Sequence, residues 1–108
     1  MLDLTPHREA IADFARRWKV KELALFGSAL RDDFGPESDV DLLVTFEPDA
    51  PWSLFDIVTM QDELVTVFQR PVDLISRRAV RRSKNPLRRA SILDSARTIY
   101  EARPRHAA

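Results

Sequence analysis

The stretch 26-FGSALRDDFGPESDVDLLVTF-46 decides the fold prediction, because it holds both glycines of the 108-residue chain and runs into an apolar segment. Gly27 follows one short apolar segment, and Gly35 lies shortly before the next. Asp39 and Asp41 then lead into DLLV, a pattern that predicts a buried strand. A buried carboxylate costs free energy unless something positive meets it, so two carboxylates this close require a reason.

The pattern of apolar residues around this stretch predicts an α/β fold in which helices and strands alternate. Helices are predicted over residues 5–19, 28–34, 53–69 and from 85 to about 101, and strands over 22–28, 40–46 and 71–76. The nearly continuous apolar run of strand 40–46 predicts cover on both faces of the sheet. We expect a single domain over residues 1–108, with 103–108 as a frayed tail.

The composition excludes several classes of protein. No apolar run approaches the roughly 20 residues that a membrane span requires, and the first residues do not resemble a secretory signal. Cysteine is absent, which excludes disulfides and thiolate metal sites and agrees with a cytoplasmic location. The chain has two histidines, His7 and His106. It therefore offers few of the side chains that a catalytic zinc site or a serine–histidine hydrolase requires.

The zero net charge of the chain hides a strong asymmetry along the sequence. Residues 1–69 carry 6 basic and 14 acidic side chains, whereas residues 70–108 carry 11 basic and 3 acidic ones. Such a distribution can serve internal pairing, an anionic substrate or an oppositely charged partner. The most basic segment, residues 77–89, contains no aromatic residue, which argues against direct binding of single-stranded nucleic acid.

Three aspartates are candidates for a shared metal site. Residues i and i+2 of a strand point to the same face, so Asp39 and Asp41 aim their carboxylates in the same direction. Asp73 opens the next predicted strand, and three carboxylates converge if the two strands are neighbours. Their mutual repulsion is removed by a divalent cation, for which hard oxygen ligands favour Mg²⁺ or Mn²⁺. Two such ions about 4 Å apart suit phosphoryl transfer.

Gly27 and Ser28 are candidates for phosphate binding, because they lie where a predicted strand turns into a predicted helix. Free N–H groups at a helix N-terminus favour phosphate, and glycine allows the backbone to approach it closely. Other motifs fail: a calcium loop requires an oxygen ligand where Leu43 stands, and neither glycine-rich nucleotide signature is present.

Gly27-Ser28, ten intervening residues and then Asp39-Val40-Asp41 resemble the signature of the DNA polymerase beta-like nucleotidyltransferase superfamily. The segments SDVDLLV and PVDLIS are similar to those of its smallest branch, the minimal nucleotidyltransferases of bacteria and archaea. The resemblance implies the nucleotidyltransferase fold, a short mixed sheet backed by helices. It also implies that Asp39, Asp41 and Asp73 are catalytic and metal-binding, and that Gly27, Ser28 and Arg31 bind the nucleotide.

The resemblance further implies ATP as substrate, Mg²⁺ as cofactor (two ions, or Mn²⁺) and a helical HEPN ribonuclease toxin as partner in a hetero-oligomeric complex. Members of this branch act as antitoxins, some by transferring AMP to a tyrosine hydroxyl of the toxin. Two alternatives to this function remain at this point. In the first, the chain is a non-catalytic antitoxin that binds the toxin directly. In the second, it transfers a nucleotide to a hydroxyl of RNA or of a small molecule.

Overall fold

A computed structural model describes residues 4–27 and 38–102, which form a four-stranded sheet with helices on both faces. The elements are a 3₁₀ turn (Thr5–His7), α1 (Arg8–Arg17), β1 (Val20–Phe26), β2 (Val40–Phe46), α2 (Leu54–Phe68), β3 (Val72–Ser76), α3 (Arg77–Arg81), α4 (Pro86–Ser95) and β4 (Arg97–Glu101). In the part of the chain so described, no helix is long and apolar enough to cross a membrane.

The sheet is mixed, as predicted, and its strand order is β3-β2-β1-β4. β2 pairs in parallel with β3, whereas β1 pairs antiparallel with both β2 and β4. The strand predicted over 40–46 is confirmed at both ends. β2 is therefore a central strand, flanked on one side by β1, which ends directly before Gly27, and on the other by β3, which contains Asp73.

Both faces of β2 are covered, which confirms the prediction from its apolar run. Val40, Leu42 and Val44 are fully buried in the larger core, which α1 and α2 cover with Phe14, Met60 and Leu64 among others. On the opposite face, Leu43 is buried in a smaller core with Ala24, Phe26, Val80 and Ile92. Alternate residues of β2 thus enter two different apolar layers, as the two-residue period of a strand requires.

The helix predicted over 53–69 is confirmed, but not all of its apolar residues are buried. Ser53 is the N-cap, and its backbone N–H donates to the carboxylate of Asp56 at 2.9 Å. Met60, Leu64 and Phe68 form its buried face, at the spacing of successive helical turns. Leu54 and Val58 lie away from this face and are 83% and 57% exposed.

The helix predicted from 85 to about 101 begins correctly and ends too late. Asn85 caps α4 by accepting from the N–H of Arg88 at 3.1 Å, with Pro86 in the first turn. The helix stops at Ser95, and residues 97–101 form β4 instead. Thr98, Ile99 and Tyr100 favour a strand, and pairing with the open edge of β1 satisfies their backbone, which outweighs the continued apolar spacing.

Three further elements differ from the prediction or lie outside the described residues. α3 was not predicted; its N-cap is Ser76, whose hydroxyl accepts from the N–H of Ala79 at 3.1 Å. The helix predicted over 5–19 starts as a 3₁₀ turn and ends at Arg17. The helix predicted over 28–34 and the frayed tail predicted over 103–108 fall outside the described residues.

A charged contact joins the two helices on the larger core. The guanidinium of Arg17 on α1 forms an ion pair with Glu63 on α2 and donates to Asp13 at 2.9 Å. The indole N–H of Trp18 also donates to Glu63, at 3.2 Å. The hydrogen bonds from Arg17, and then that from Trp18, lower the pKa of Glu63 although burial acts in the opposite direction. The ionised form of Glu63 is therefore the one that holds α1 against α2.

Glu63→Gln removes the charge that pairs with Arg17 and is expected to lower the free energy of unfolding at pH 7. The effect should be only about 1 kcal/mol, because the ion pair is largely exposed. A group whose pKa is lowered by folding stabilises the protein above its unfolded pKa, about 4.3 for glutamate. The stabilisation is lost as the pH falls through the lower folded value. Urea titrations at pH 7 and pH 3 should therefore show the difference between wild type and variant shrinking at pH 3.

The matched control is Asp62→Asn, the same chemical change at the neighbouring, exposed position of α2. A control as destabilised as Glu63→Gln would contradict the assignment of the effect to the Arg17–Glu63 contact. A difference independent of pH would contradict it equally.

Candidate active site

Asp41 and Asp73 lie side by side on neighbouring parallel strands. The register of β2 and β3 makes Asp41 the direct partner of Asp73, and Leu43 the partner of Ile75. Neighbouring strands are about 4.8 Å apart, and paired residues point to the same face. The two strands are therefore neighbours, which is the condition on which the grouping of the three aspartates depended. Asp41 is half-buried, whereas Asp73 is exposed.

Asp39 lies at the start of β2, where a junction fixes the backbone on both sides of it. The N–H of Val40 donates to the carbonyl of Pro71 at 2.9 Å. One residue before Asp39, the carbonyl of Ser38 accepts from the guanidinium of Arg70 at 3.5 Å. The connection between α2 and β3 thus holds the backbone that carries the exposed Asp39. Sequence analysis did not identify Arg70, because nothing in its local pattern connects it with a position 32 residues earlier.

Gly27 lies directly against the carboxylate of Asp41. Phe26, the last residue of β1, is the register partner of Asp41 on β2, so the chain turns at Gly27 beside that side chain. Gly27 has a φ of +67°, which favours glycine, and a Cβ placed on it would lie 2.5 Å from Oδ2 of Asp41. Glycine is therefore required here for two separate reasons, the backbone conformation and the approach of the carboxylate.

The edge strand β3 is held by a side chain from α2. The N–H of Leu74 donates to the side-chain carbonyl of Gln61 at 3.0 Å. This contact occupies a backbone donor directly after Asp73, and it ties the strand that carries Asp73 to the helix packed beneath it. Gln61 was also missed by sequence analysis, since a single amide on a helix carries no signal of its partner.

The carboxylates at this end of the sheet suit a divalent cation whose coordination is completed by phosphate oxygens of a substrate. Within residues 4–27 and 38–102, no three acidic or histidine side chains are placed to hold a metal ion together. Mg²⁺ is usually bound by one or two carboxylates plus substrate phosphates rather than by an all-protein cage. Asp39, directly before β2, and Asp41 are two such carboxylates, and Asp73 lies beside Asp41 on β3. The phosphate-binding residues predicted next to them, Ser28 and Arg31, lie outside the described residues.

Gly27→Ala is expected to lower the free energy of unfolding by about 1–2 kcal/mol, because a left-handed conformation is costly for alanine. The larger effect should be on Asp41, whose carboxylate must rotate away from the new methyl group. Urea titration measures the first effect. Titration with Mn²⁺, with the free ion followed by electron paramagnetic resonance, should show clearly weakened binding.

The combination Gly27→Ala/Asp41→Ala separates the two causes. The stability cost that remains in this background is that of the backbone conformation alone. If Gly27→Ala bound Mn²⁺ as tightly as wild type, the contact between Gly27 and Asp41 would have no bearing on a metal site.

Comparisons with known proteins agree on one family. The family model described as a nucleotidyltransferase domain matches residues 7–99. The protein adenylyltransferase MntA of Thermococcus cleftensis is 32% identical to this chain over 78 residues, which make up 72% of this chain and 74% of that protein.

Solved structures share the fold. A candidate minimal nucleotidyltransferase matches with a TM-score of 0.63 at 30% identity, covering 83% of this chain and 86% of that one. A complex of tri-AMPylated Shewanella oneidensis HEPN toxin with MNT antitoxin matches with a TM-score of 0.58 at 16% identity, covering 89% of this chain and 71% of that chain, and this likeness is one of fold. Fold, sequence and family model together show that the chain belongs to the nucleotidyltransferase domain family, in its minimal nucleotidyltransferase branch, and is a nucleotidyltransferase.

Proposed function

We propose that this chain transfers AMP from ATP to a hydroxyl group of a partner HEPN toxin, with a tyrosine hydroxyl as acceptor, and that it thereby acts as the antitoxin. The observation that carries the proposal is the pairing of Asp41 with Asp73 beside Gly27. Carboxylates next to a turn that admits close backbone approach suit transfer of a phosphoryl-type group. The reaction is assigned to the cytoplasm, in keeping with the cysteine-free composition.

In the proposed reaction, the acceptor oxygen attacks the α-phosphorus of ATP and forms a new phosphate ester. The bond from that phosphorus to the bridging oxygen breaks, and pyrophosphate leaves with the electron pair. The proton of the acceptor hydroxyl passes to Asp73, which is exposed at the edge strand and therefore accessible to a second protein. Most of the rate enhancement comes from positioning and charge neutralisation, as in phosphoryl transfer generally.

Asp39 and Asp41 are assigned as the metal ligands, with Asp73 completing the site. Mg²⁺ held by these carboxylates would neutralise phosphate charge and favour in-line attack at the α-phosphate. The missing side chain at Gly27 makes room for the carboxylate of Asp41, and Gly27, Ser28 and Arg31 are assigned to binding of the triphosphate. The Arg70–Ser38 and Pro71–Val40 contacts keep the backbone of Asp39 in place, so the ligands are held before the nucleotide arrives.

The assignment of the partner rests on relatives. The Thermococcus cleftensis relative is a protein adenylyltransferase, and the HEPN toxin in the Shewanella oneidensis complex carries AMP groups. A partner that carries the acceptor hydroxyl itself helps to form the acceptor pocket, which agrees with a stable hetero-oligomeric complex.

Asp39→Asn and Asp41→Asn are each expected to reduce AMP transfer at least about 100-fold, because each removes a charge that acts on the phosphates. Folding should be retained, since asparagine has nearly the same shape. Intact-mass spectrometry of the partner HEPN protein, after incubation with this chain, Mg²⁺ and ATP, measures the transfer as added AMP units.

Asp94→Asn, the same change at an exposed position of α4, serves as the control. Full transfer by Asp39→Asn or Asp41→Asn would refute the proposed site. A complex that forms without any added AMP in wild type would instead identify the chain as an antitoxin that acts by binding alone.

Asp73→Asn should affect the reaction differently from the two metal ligands. Loss of a general base lowers kcat by about 10²–10⁴-fold, whereas the affinity for ATP should be nearly unchanged because Asp73 acts on the acceptor. Single-turnover rates and equilibrium nucleotide binding, measured on the same preparation, separate the two quantities. An unchanged rate would show that another group takes the proton.

A further inference from the structure

The segment formed by α3 and the start of α4 carries an unusual excess of positive charge. Residues 77–89 contain seven arginines and lysines and no acidic residue. Two of the seven make internal contacts: Arg77 donates to Glu22 at 2.8 Å, and Arg89 donates to the carbonyl of Ser83 at 3.0 Å. The other five are exposed and form what we call the cationic surface: Arg78, Arg81, Arg82, Lys84 and Arg88.

The cationic surface has no acidic partner within the described ranges 4–27 and 38–102. Among the residues that the structure describes, none of its five members has an acidic group within 4 Å. Like charges this close repel one another, which costs stability in the isolated chain. Their arrangement is therefore better explained by an anionic group outside the chain than by the fold.

The cationic surface lies on the same side of the sheet as the aspartates. Arg77, at the start of α3, donates to Thr45 at 2.9 Å, and Thr45, Leu43 and Asp41 alternate along one face of β2. One turn later, Val80 is buried against Leu43. From Arg77 to Val80 the chain thus advances along β2 in the direction of Asp41, on the face of the sheet that carries its carboxylate.

The composition of this surface favours a protein over a nucleic acid. Leu87, which lies between Lys84 and Arg88, is 82% exposed. An exposed apolar side chain surrounded by cations suits the core and rim of a protein–protein contact. No aromatic residue is available in the segment to stack on bases.

We infer that the cationic surface is the docking site for an acidic segment of the partner protein that flanks its acceptor hydroxyl, with Leu87 as the apolar anchor. The inference rests on the proposed function, because it takes the acceptor to be a protein. Its consequence is that docking beside Asp41 and Asp73 presents the hydroxyl to the nucleotide. Attraction between unpaired exposed charges acts at long range and raises the association rate, and added salt screens it.

The test is binding of the purified partner HEPN protein by biolayer interferometry at 50 and 500 mM NaCl. The variant Arg81→Glu/Arg82→Glu/Lys84→Glu is expected to bind at least tenfold more weakly at 50 mM, with a smaller difference at 500 mM. The uncharged variant Arg81→Gln/Arg82→Gln/Lys84→Gln should show the same trend at lower magnitude. It takes the place of the charge-reversed variant if that variant does not fold. Leu87→Ser should weaken binding equally at both salt concentrations.

The matched control is Arg8→Glu/Arg16→Glu/Lys21→Glu, which makes the same change in net charge at exposed positions on α1 and β1. Its affinity should stay within twofold of wild type. Wild-type affinity in the variant of the cationic surface would overturn the inference, as would a control that is equally weakened. Tighter binding of a 20-nucleotide polyuridine than of the HEPN protein, lost in the same variant, would overturn it in favour of RNA.

Transfer of AMP, measured by intact mass in parallel, separates this inference from the proposed function. Added AMP with wild-type binding by the variant would leave the function standing and refute the docking site. Binding that depends on the cationic surface, without added AMP in wild type, would support the docking site and refute the proposed AMP transfer. If the HEPN protein neither binds nor gains mass, both are refuted.

Discussion

The parallel register between β2 and β3 is the constraint on which the site depends. Asp41 lies beside Asp73 because Val40 and Leu42 are locked into the larger core, opposite Val72 and Leu74. A slip of one residue would reverse every side chain of the strand and drive Asp41 into that apolar layer. Ordinary burial of valine and leucine side chains, at roughly 25 cal/mol per Å² of apolar surface, therefore also fixes the position of the carboxylates.

The second apolar layer sets how far the carboxylates are exposed. α3 and α4 cover the sheet at the level of Leu43, where Val80 and Ile92 are buried. Asp41 is one step further along the same face and only half-buried. A carboxylate at the rim of such a layer keeps contact with water and remains accessible to a cation, while the adjacent core holds its backbone still.

The sequence predicted these features to different extents, and the reasons are physical. Both ends of strand β2 were predicted correctly because its apolar run is bounded by polar residues and is compatible with one assignment of secondary structure. The end of α4 was misjudged because Ile99 and Tyr100 continue a helical spacing, while the open edge of β1 that pairs with them is a property of the whole sheet. Gly27 was recognised by residue type, but its contact with Asp41 depends on how β1 and β2 align. Arg70 and Gln61 act over long sequence separations that no local pattern encodes.

The charge asymmetry of the sequence left open whether the basic part neutralises the acidic part within the fold. Among the described residues, Arg17 and Lys19 pair with Glu63 and Asp49, all four belonging to the acidic part. Arg77 and Glu22 form an ion pair that joins the two parts, and it lies on the face of the sheet where α3 packs. That pair holds the start of α3 against the sheet and leaves the cations that follow it unneutralised by any described acidic side chain within 4 Å. In the described part of the chain, folding therefore leaves the cationic surface with an excess of positive charge on the face of the sheet that α3 and α4 cover.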